Sequence, residues 1–252
     1  MWDLVSEIPS ERNPILIDLK AVNAMAVGKQ QLAFDITRSI PVGSTPFGFV
    51  RVTIVRHHQD LLGSLPDFDA DAEYDAANCG GFPQNPRVAS CREKVAFHAV
   101  DVGRLEDAQR EIVFRDSTAD LETDPGQALI HRRIARTVEG YLAWKTGNTT
   151  DAFASLSEAR RLDRFAVTAR WIFAEVLVEN FPAAAADLYL SIDDNLTWSP
   201  FSRLRAAEMF ERMGDPERAA ENYASALSAW GGADEGFGPK ARAEAGLARV
   251  GG

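Results

Sequence analysis

The amino-acid sequence predicts an all-α fold of stacked antiparallel helical hairpins, and three observations carry that expectation. The first is a spacing that recurs four times: a small residue, a second residue three positions on, a glycine seven after the first, and an alanine five after the glycine. The second is that each instance lies in a segment whose apolar residues recur with a period of about 3.6, as on one face of a helix. The third is composition. Over 252 residues, 46% hydrophobic and 25% charged side chains can bury a core and still solvate a surface, which excludes disordered and collagen-like chains.

Taken in order, the first instance is Ala21, Ala24, Gly28 and Ala33, which predicts a helix ending at Gly28 and a partner helix after it. Glycine just past a helix end takes the left-handed conformation without a Cβ clash, so each of the four glycines is read as a stop. Between this unit and the next, 47–62 and 69–78 are expected to form a degenerate pair. Ala96, Ala99, Gly103 and Ala108 make the second instance, with an amphipathic helix over Cys91 to Val102. The polar stretch Ser117 to Gly126 is read as a longer connection. Gly140, Ala143, Gly147 and Ala152 follow, with Asn148 or Thr149 able to cap the next helix. Gly147 and Gly214 lie 67 residues apart, about two units, which predicts a hidden hairpin between them. Ala166 to Glu179 and Ala183 to Ile192 supply it, joined at Asn180-Phe181-Pro182. The last instance is Ala207, Phe210, Gly214 and Ala219, where Asp215 caps and Pro216 takes the first helical position. Pro239 to Val250 reads as a capping helix.

The spacing resembles the tetratricopeptide repeat, a helix–turn–helix unit of about 34 residues. Ala207, Gly214, Ala219, Tyr223 and Ala226 fall on that family's small, turn and bulky positions, as do Gly140, Gly147, Ala152, Leu156 and Ala159. The two earlier units depart from the pattern, with Arg115 in one, and Thr37 and Ile40 in the other, at its later positions. Arg136 and Arg203 stand where the family carries an aromatic. The run from Gly214 to Asp234, followed by a basic, alanine-rich helix, also resembles the C-terminal end of repeat regions attached to bacterial serine/threonine kinases and related multidomain regulators. That likeness covers roughly the last 120 residues and implies a signalling context. The resemblance implies a right-handed α-solenoid of five or six hairpins plus the capping helix. Its N-terminal degenerate hairpins would span 1–116 and its C-terminal hairpins 127–252, as one continuous array.

Charge narrows the partners. A net charge of −10 repels phosphate backbones and anionic lipid, so neither nucleic acid nor a membrane surface is an expected partner. The basic run His131-Arg132-Arg133-Ile134-Ala135-Arg136 is read as a solvated helix face. No apolar stretch approaches the roughly 20 residues of a membrane-spanning helix, and the first residues lack the basic and apolar pattern of a secretory signal. Cytoplasmic residence is therefore expected. Cys79 and Cys91 could close a loop in an oxidising compartment, but two cysteines are too few for a disulfide scaffold, and free thiols are the expectation.

Chemistry-bearing motifs are weak. Asp67 to Asp71 alternates acids like a calcium loop, yet its sixth position is Ala72 and its twelfth Asn78, so a solvated acidic turn is expected. The four histidines have no zinc spacing, and His57-His58 beside Asp60 is read as a helix-surface pair. No cofactor is expected. On the repeat family's register the first helices line a concave face. That face carries Glu93, Phe97 and Asp101, then Thr137, Tyr141, Trp144 and Lys145, then Arg170 beside Trp171. This mixture of aromatic and charged side chains points to a protein or peptide partner, aromatics supplying area and charges fixing register. The expected function is a non-catalytic interaction scaffold or assembly subunit. The rivals are a regulatory or sensor module of a larger bacterial signalling protein and, further off, a small hydrolase or metal-dependent enzyme.

Overall fold

The computed structural model of the chain describes residues 14–40, 55–56, 69, 72, 74, 79, 86–192, 195 and 198–251. Among them there are eleven α-helices and no strand. These are α1 (Pro14–Ala26), α2 (Gln30–Ser39), α3 (Pro86–Asp101), α4 (Leu105–Leu121), α5 (Pro125–Lys145), α6 (Thr149–Leu162), α7 (Val167–Leu177), α8 (Pro182–Leu190), α9 (Ser199–Arg212), α10 (Pro216–Ala229) and α11 (Gly238–Val250). From α3 to α11 each helix packs on the next in the chain. Helices two apart also touch, α3 on α5, α5 on α7 and α9 on α11. The expected degenerate pair over 47–62 and 69–78 lies largely outside the described residues.

The four recurring glycines are where the chain turns. Gly28, Gly103, Gly147 and Gly214 all have positive φ, between 73° and 85°, and each closes the same pair of hydrogen bonds. The residue after the glycine donates to the carbonyl five residues back: Lys29 to Ala24, Arg104 to Ala99, Asn148 to Ala143 and Asp215 to Phe210, at 2.7–3.0 Å. Those acceptors are the second residues of the recurring spacing, so the pattern encodes the helix stop itself. The first and last residues of the pattern do the packing: Ala21, Ala33, Ala108, Ala152, Ala207 and Ala219 are fully buried. At Gly140 a Cβ would fall 2.6 Å from Leu156 Cγ, which measures how closely α5 and α6 approach. Asn148 and Asp215 cap α6 and α10 by accepting from the Asp151 and Arg218 amides. The hidden hairpin is α7 with α8, its small and bulky partners Ala185 and Tyr189 both fully buried.

Three expectations need correction. The stretch Ser117 to Gly126 is not a long connection, because α4 continues to Leu121 and α5 begins at Pro125, capped by Asp124. The extra residues between Gly103 and Gly147 lengthen the helices instead, to 17 residues in α4 and 21 in α5. Their apolar side keeps its period through Ala119, which is buried, so the polar residues there sit on the outer face of a helix. The cysteines are not free. Cys79 and Cys91 form a disulfide, with Cα atoms 5.7 Å apart, pinning Cys79 to the buried side of α3. Nearby, Tyr74 stacks on His98 of α3 with ring centroids 4.1 Å apart. The basic run in α5 is solvated only in part: Arg132 is exposed beside the exposed Asp120, whereas His131 is buried, Arg133 pairs with Glu93 and Asp163, and Arg136 pairs with Asp116 and Glu139.

The first hairpin does not simply begin the row of helices. Helix α1 packs on α9, and the Gly28 turn sits against the α10–α11 connection. The Gly28 carbonyl accepts from the Asp234 amide at 2.9 Å, the Asp234 carboxylate accepts from the Gln31 amide at 3.0 Å, and Lys29 pairs with the same carboxylate. The Trp230 indole N–H reaches the Ala26 carbonyl at 3.0 Å, within a cluster of Phe201, Trp230 and Phe237. Gly28 is needed twice over, for its positive φ and because a Cβ would fall 2.5 Å from that of Ala233. Two segments about 200 residues apart are thereby clasped.

Candidate functional site

The face chosen from the repeat register is assembled by α3 and α5, which pack side by side. Phe97 and Tyr141 meet with ring centroids 4.8 Å apart, and Tyr141 meets Trp144 edge-on at 5.9 Å. Asp101 accepts from the Tyr141 hydroxyl at 2.5 Å and lies 3.8 Å from Lys145 Nζ. Burial pushes the Tyr141 phenol well above its ordinary pKa; Arg56 opposes this and the Asp101 charge adds to it, so the hydroxyl keeps its proton and donates.

A residue absent from the sequence reading completes this cluster. Arg56 reaches in from far along the chain, donating from Nη1 to Asp101 Oδ2 at 2.6 Å and from Nη2 to Tyr141 Oη at 3.0 Å. Its guanidinium lies 5.4 Å from both the Phe97 and the Tyr141 ring centroids, and the residue is 4% exposed. Its signal in the sequence was slight, one of the two arginines, Arg51 and Arg56, that flank the run Val52-Thr53-Ile54-Val55.

The remaining residues of the expected site are distributed differently. Glu93 is buried and accepts from Arg133. Thr137 is buried and donates to the Arg133 carbonyl one turn back. Arg170 is buried and binds the Ser191 and Phe165 carbonyls, which ties the ends of α8 and the α6–α7 connection to α7. Of the eight, Asp101, Trp144 and Lys145 reach solvent, and Glu93, Phe97, Thr137, Tyr141 and Arg170 do not.

A second polar cluster sits between α3, α4 and α5. Glu111 accepts from Arg92 at one carboxylate oxygen and from Arg115 at the other, and Arg115 Nη1 lies 2.9 Å from His131 Nδ1. A guanidinium can only donate, so the His131 ring proton is on Nε2. Burial, with the Arg115 charge beside it, holds this imidazole below its ordinary pKa, and it is neutral at neutral pH. Among the described residues no group of three or more His, Cys, Asp or Glu side chains is arranged to hold a metal ion. His57, His58 and Asp60, like Asp67 and Asp71, lie outside them.

Among the described residues, one exposed apolar surface lies between α6 and α8. Phe153, Ser157 and Arg160 share one face of α6 at helical spacing. Phe181, Ala184, Asp187 and Leu188 face them from the start and side of α8, and Phe173 and Leu177 of α7 form the floor of a cavity of about 530 Å³. Phe153 is 47% exposed and Phe181 58%, although each belongs to a residue type that ordinarily gains by burial. Phe153 meets Phe173 edge-on at 5.2 Å. Arg160 and Asp187 give the groove one charge of each sign, and among the described residues neither side chain has an ion pair. The sequence signal was modest: Phe153 follows the packed Ala152, and Phe181 occupies a turn. Both positions are off the buried stripe. Comparison with protein-family models, with curated proteins and with solved structures finds no match to this chain.

Proposed function

We propose that this chain is a non-catalytic interaction scaffold, an array of tetratricopeptide-like hairpins whose groove between α6 and α8 takes a short amphipathic helix of a partner protein. The observation that carries the reading is the pair of exposed phenylalanines over an apolar floor. An exposed apolar patch with a polar rim marks a surface that another apolar surface covers. The groove runs beside α6 from Phe153 to Arg160, two helical turns, which suits a segment of about two to three turns. Free charges of both signs at Arg160 and Asp187 call for an acidic and a basic residue flanking the partner's apolar anchor. The turn geometry at four glycines supports the repeat class, and the intramolecular pairing of the α5 arginines supports a protein partner over nucleic acid. The Cys79–Cys91 disulfide supports an oxidising compartment over the cytoplasm, because cytosolic thiol buffers keep such pairs reduced. No helix among the described residues is long and apolar enough to cross a membrane.

Selection from a displayed library of helical peptides tests the groove. The expected binders carry a bulky apolar residue between an acidic and a basic one. Replacing Phe153 and Phe181 together by Ser is expected to weaken them at least tenfold, with the helical circular dichroism and thermal midpoint retained. Equal affinity in that folded variant would reject the groove. A wild-type dimer in sedimentation that the same variant abolishes would replace the partner protein by a second copy.

A further inference from the structure

We propose that the α3–α5 face is a guanidinium-binding site, filled in this chain by its own Arg56, and that an arginine of a partner protein competes for it. This site is separate from the phenylalanine groove. A carboxylate, a phenol oxygen and two aromatic rings, groups suited to a planar cation, converge here. Asp101 supplies the charge and accepts from Nη1, the Tyr141 hydroxyl accepts from Nη2, and the Phe97 and Tyr141 rings lie 5.4 Å from the guanidinium carbon. The Tyr141 hydroxyl can accept because its own proton is committed to the other Asp101 oxygen. Fork-shaped donors matched to a carboxylate and a phenol, with aromatic rings around them, select arginine over lysine.

Two further features make the site one for exchange as well as for packing. Asp101 is at the rim, its side chain 30% exposed, whereas Arg56 is almost wholly covered. Lys145 stands beside the same carboxylate at 3.8 Å, with Nζ 4.7 Å from the Trp144 ring centroid and its side chain 41% exposed. When Arg56 leaves, the carboxylate is therefore partly neutralised at the solvent edge, which lowers the cost of the vacant state. An incoming arginine recovers the forked pairing to Asp101 and Tyr141 that lysine cannot reproduce. The apparent affinity of the intact chain is reduced by the fraction of molecules in which Arg56 is out.

The test uses the full chain and three variants, Arg56→Ala, Arg56→Gln and Arg56→Ala with Asp101→Asn, titrated calorimetrically with the blocked tripeptide Gly-Arg-Gly and its Gly-Lys-Gly counterpart. The arginine peptide is expected to bind Arg56→Ala at least tenfold more tightly than wild type, to raise its thermal midpoint saturably, and to outbind the lysine peptide. Both effects should vanish in the double variant. Should Arg56→Ala not fold, Arg56→Gln keeps the stem length and is held to the same comparison. Equal binding to wild type and the Arg56 variant, equal binding of the lysine peptide, or retention of binding without the Asp101 charge would each overturn the proposal.

Discussion

Trp230→Ala is expected to lower the free energy of unfolding by about 3–5 kcal/mol, the range for removing a fully buried large aromatic. Among the described residues Trp230 is the largest wholly buried side chain, and it packs edge-on against both Phe201 and Phe237. Its indole is also the donor to the Ala26 carbonyl, so truncation leaves a cavity and an unpaired acceptor at the end of α1. In a chain of this length each kcal/mol moves the thermal midpoint by roughly 2–4 °C, so a fall of about 10 °C is anticipated. The effect is local as well as global. The first hairpin is held to α9 and the α10–α11 connection through this residue and the Asp234 contacts. Hydrogen exchange should therefore accelerate across α1 and α2 in the variant while α5 and α6 keep their protection. Urea titration with peptide-resolved exchange reads both, and equal acceleration in all the hairpins would show that Trp230 is a general core residue and no clasp.

The second large effect is expected at Gly140, where two helices meet backbone to side chain. A valine there would place Cβ 2.6 Å from Leu156 Cγ and 3.3 Å from the Ala152 carbonyl oxygen. Leu156 is fully buried and has nowhere to yield, so the substitution should cost at least the 1–3 kcal/mol typical of overpacking, despite the removal of a helix-interior glycine. Gly147→Ala is the informative contrast. Nothing lies within 4 Å of a Cβ at Gly147, and the cost there comes only from its φ of +85°, about 1–2 kcal/mol. Asparagine tolerates that conformation, so Gly147→Asn should recover part of the loss, whereas Gly140→Asn should recover none. Denaturant midpoints for the four variants give the ranking, and a Gly140→Val variant as stable as Gly147→Ala would show that the interhelical approach is not tight.

The helices were legible because local rules fix them. A glycine with its own hydrogen-bonding geometry stops the first helix of the four hairpins that carry the recurring spacing. Ala24, Ala99, Ala143 and Phe210 recur because their carbonyls close the turn, and Ala33, Ala108, Ala152 and Ala219 recur because the partner helix must come close. The misreading of Ser117 to Gly126 has the same root, since polar composition marks the outer face of a helix as readily as a connection. Long-range pairings have no such local signature. Nothing in the spacing of Cys79 and Cys91 states whether the chain brings them together. The clasp between Gly28 and Asp234, and the seating of Arg56 on Asp101, depend on three-dimensional proximity across 206 and 45 residues. The expected partner face was found as a cluster, in that Phe97, Asp101, Tyr141, Trp144 and Lys145 are neighbours. Its occupancy was not, because the occupant comes from a distant segment. Phe153 and Phe181 were passed over because the repeat register points to the first helices and these two lie beside the second.

Exchange of the Trp230 indole proton against solvent deuterium, followed by NMR at neutral pH, addresses the closure of the chain on itself most directly. Deep burial and the hydrogen bond to Ala26 predict protection comparable to that of the core amides of α9 and α10, lost when residues 1–40 are deleted from an otherwise folded chain. Exchange at the rate of a solvent-exposed indole in the intact protein, or protection unchanged by the deletion, would contradict it.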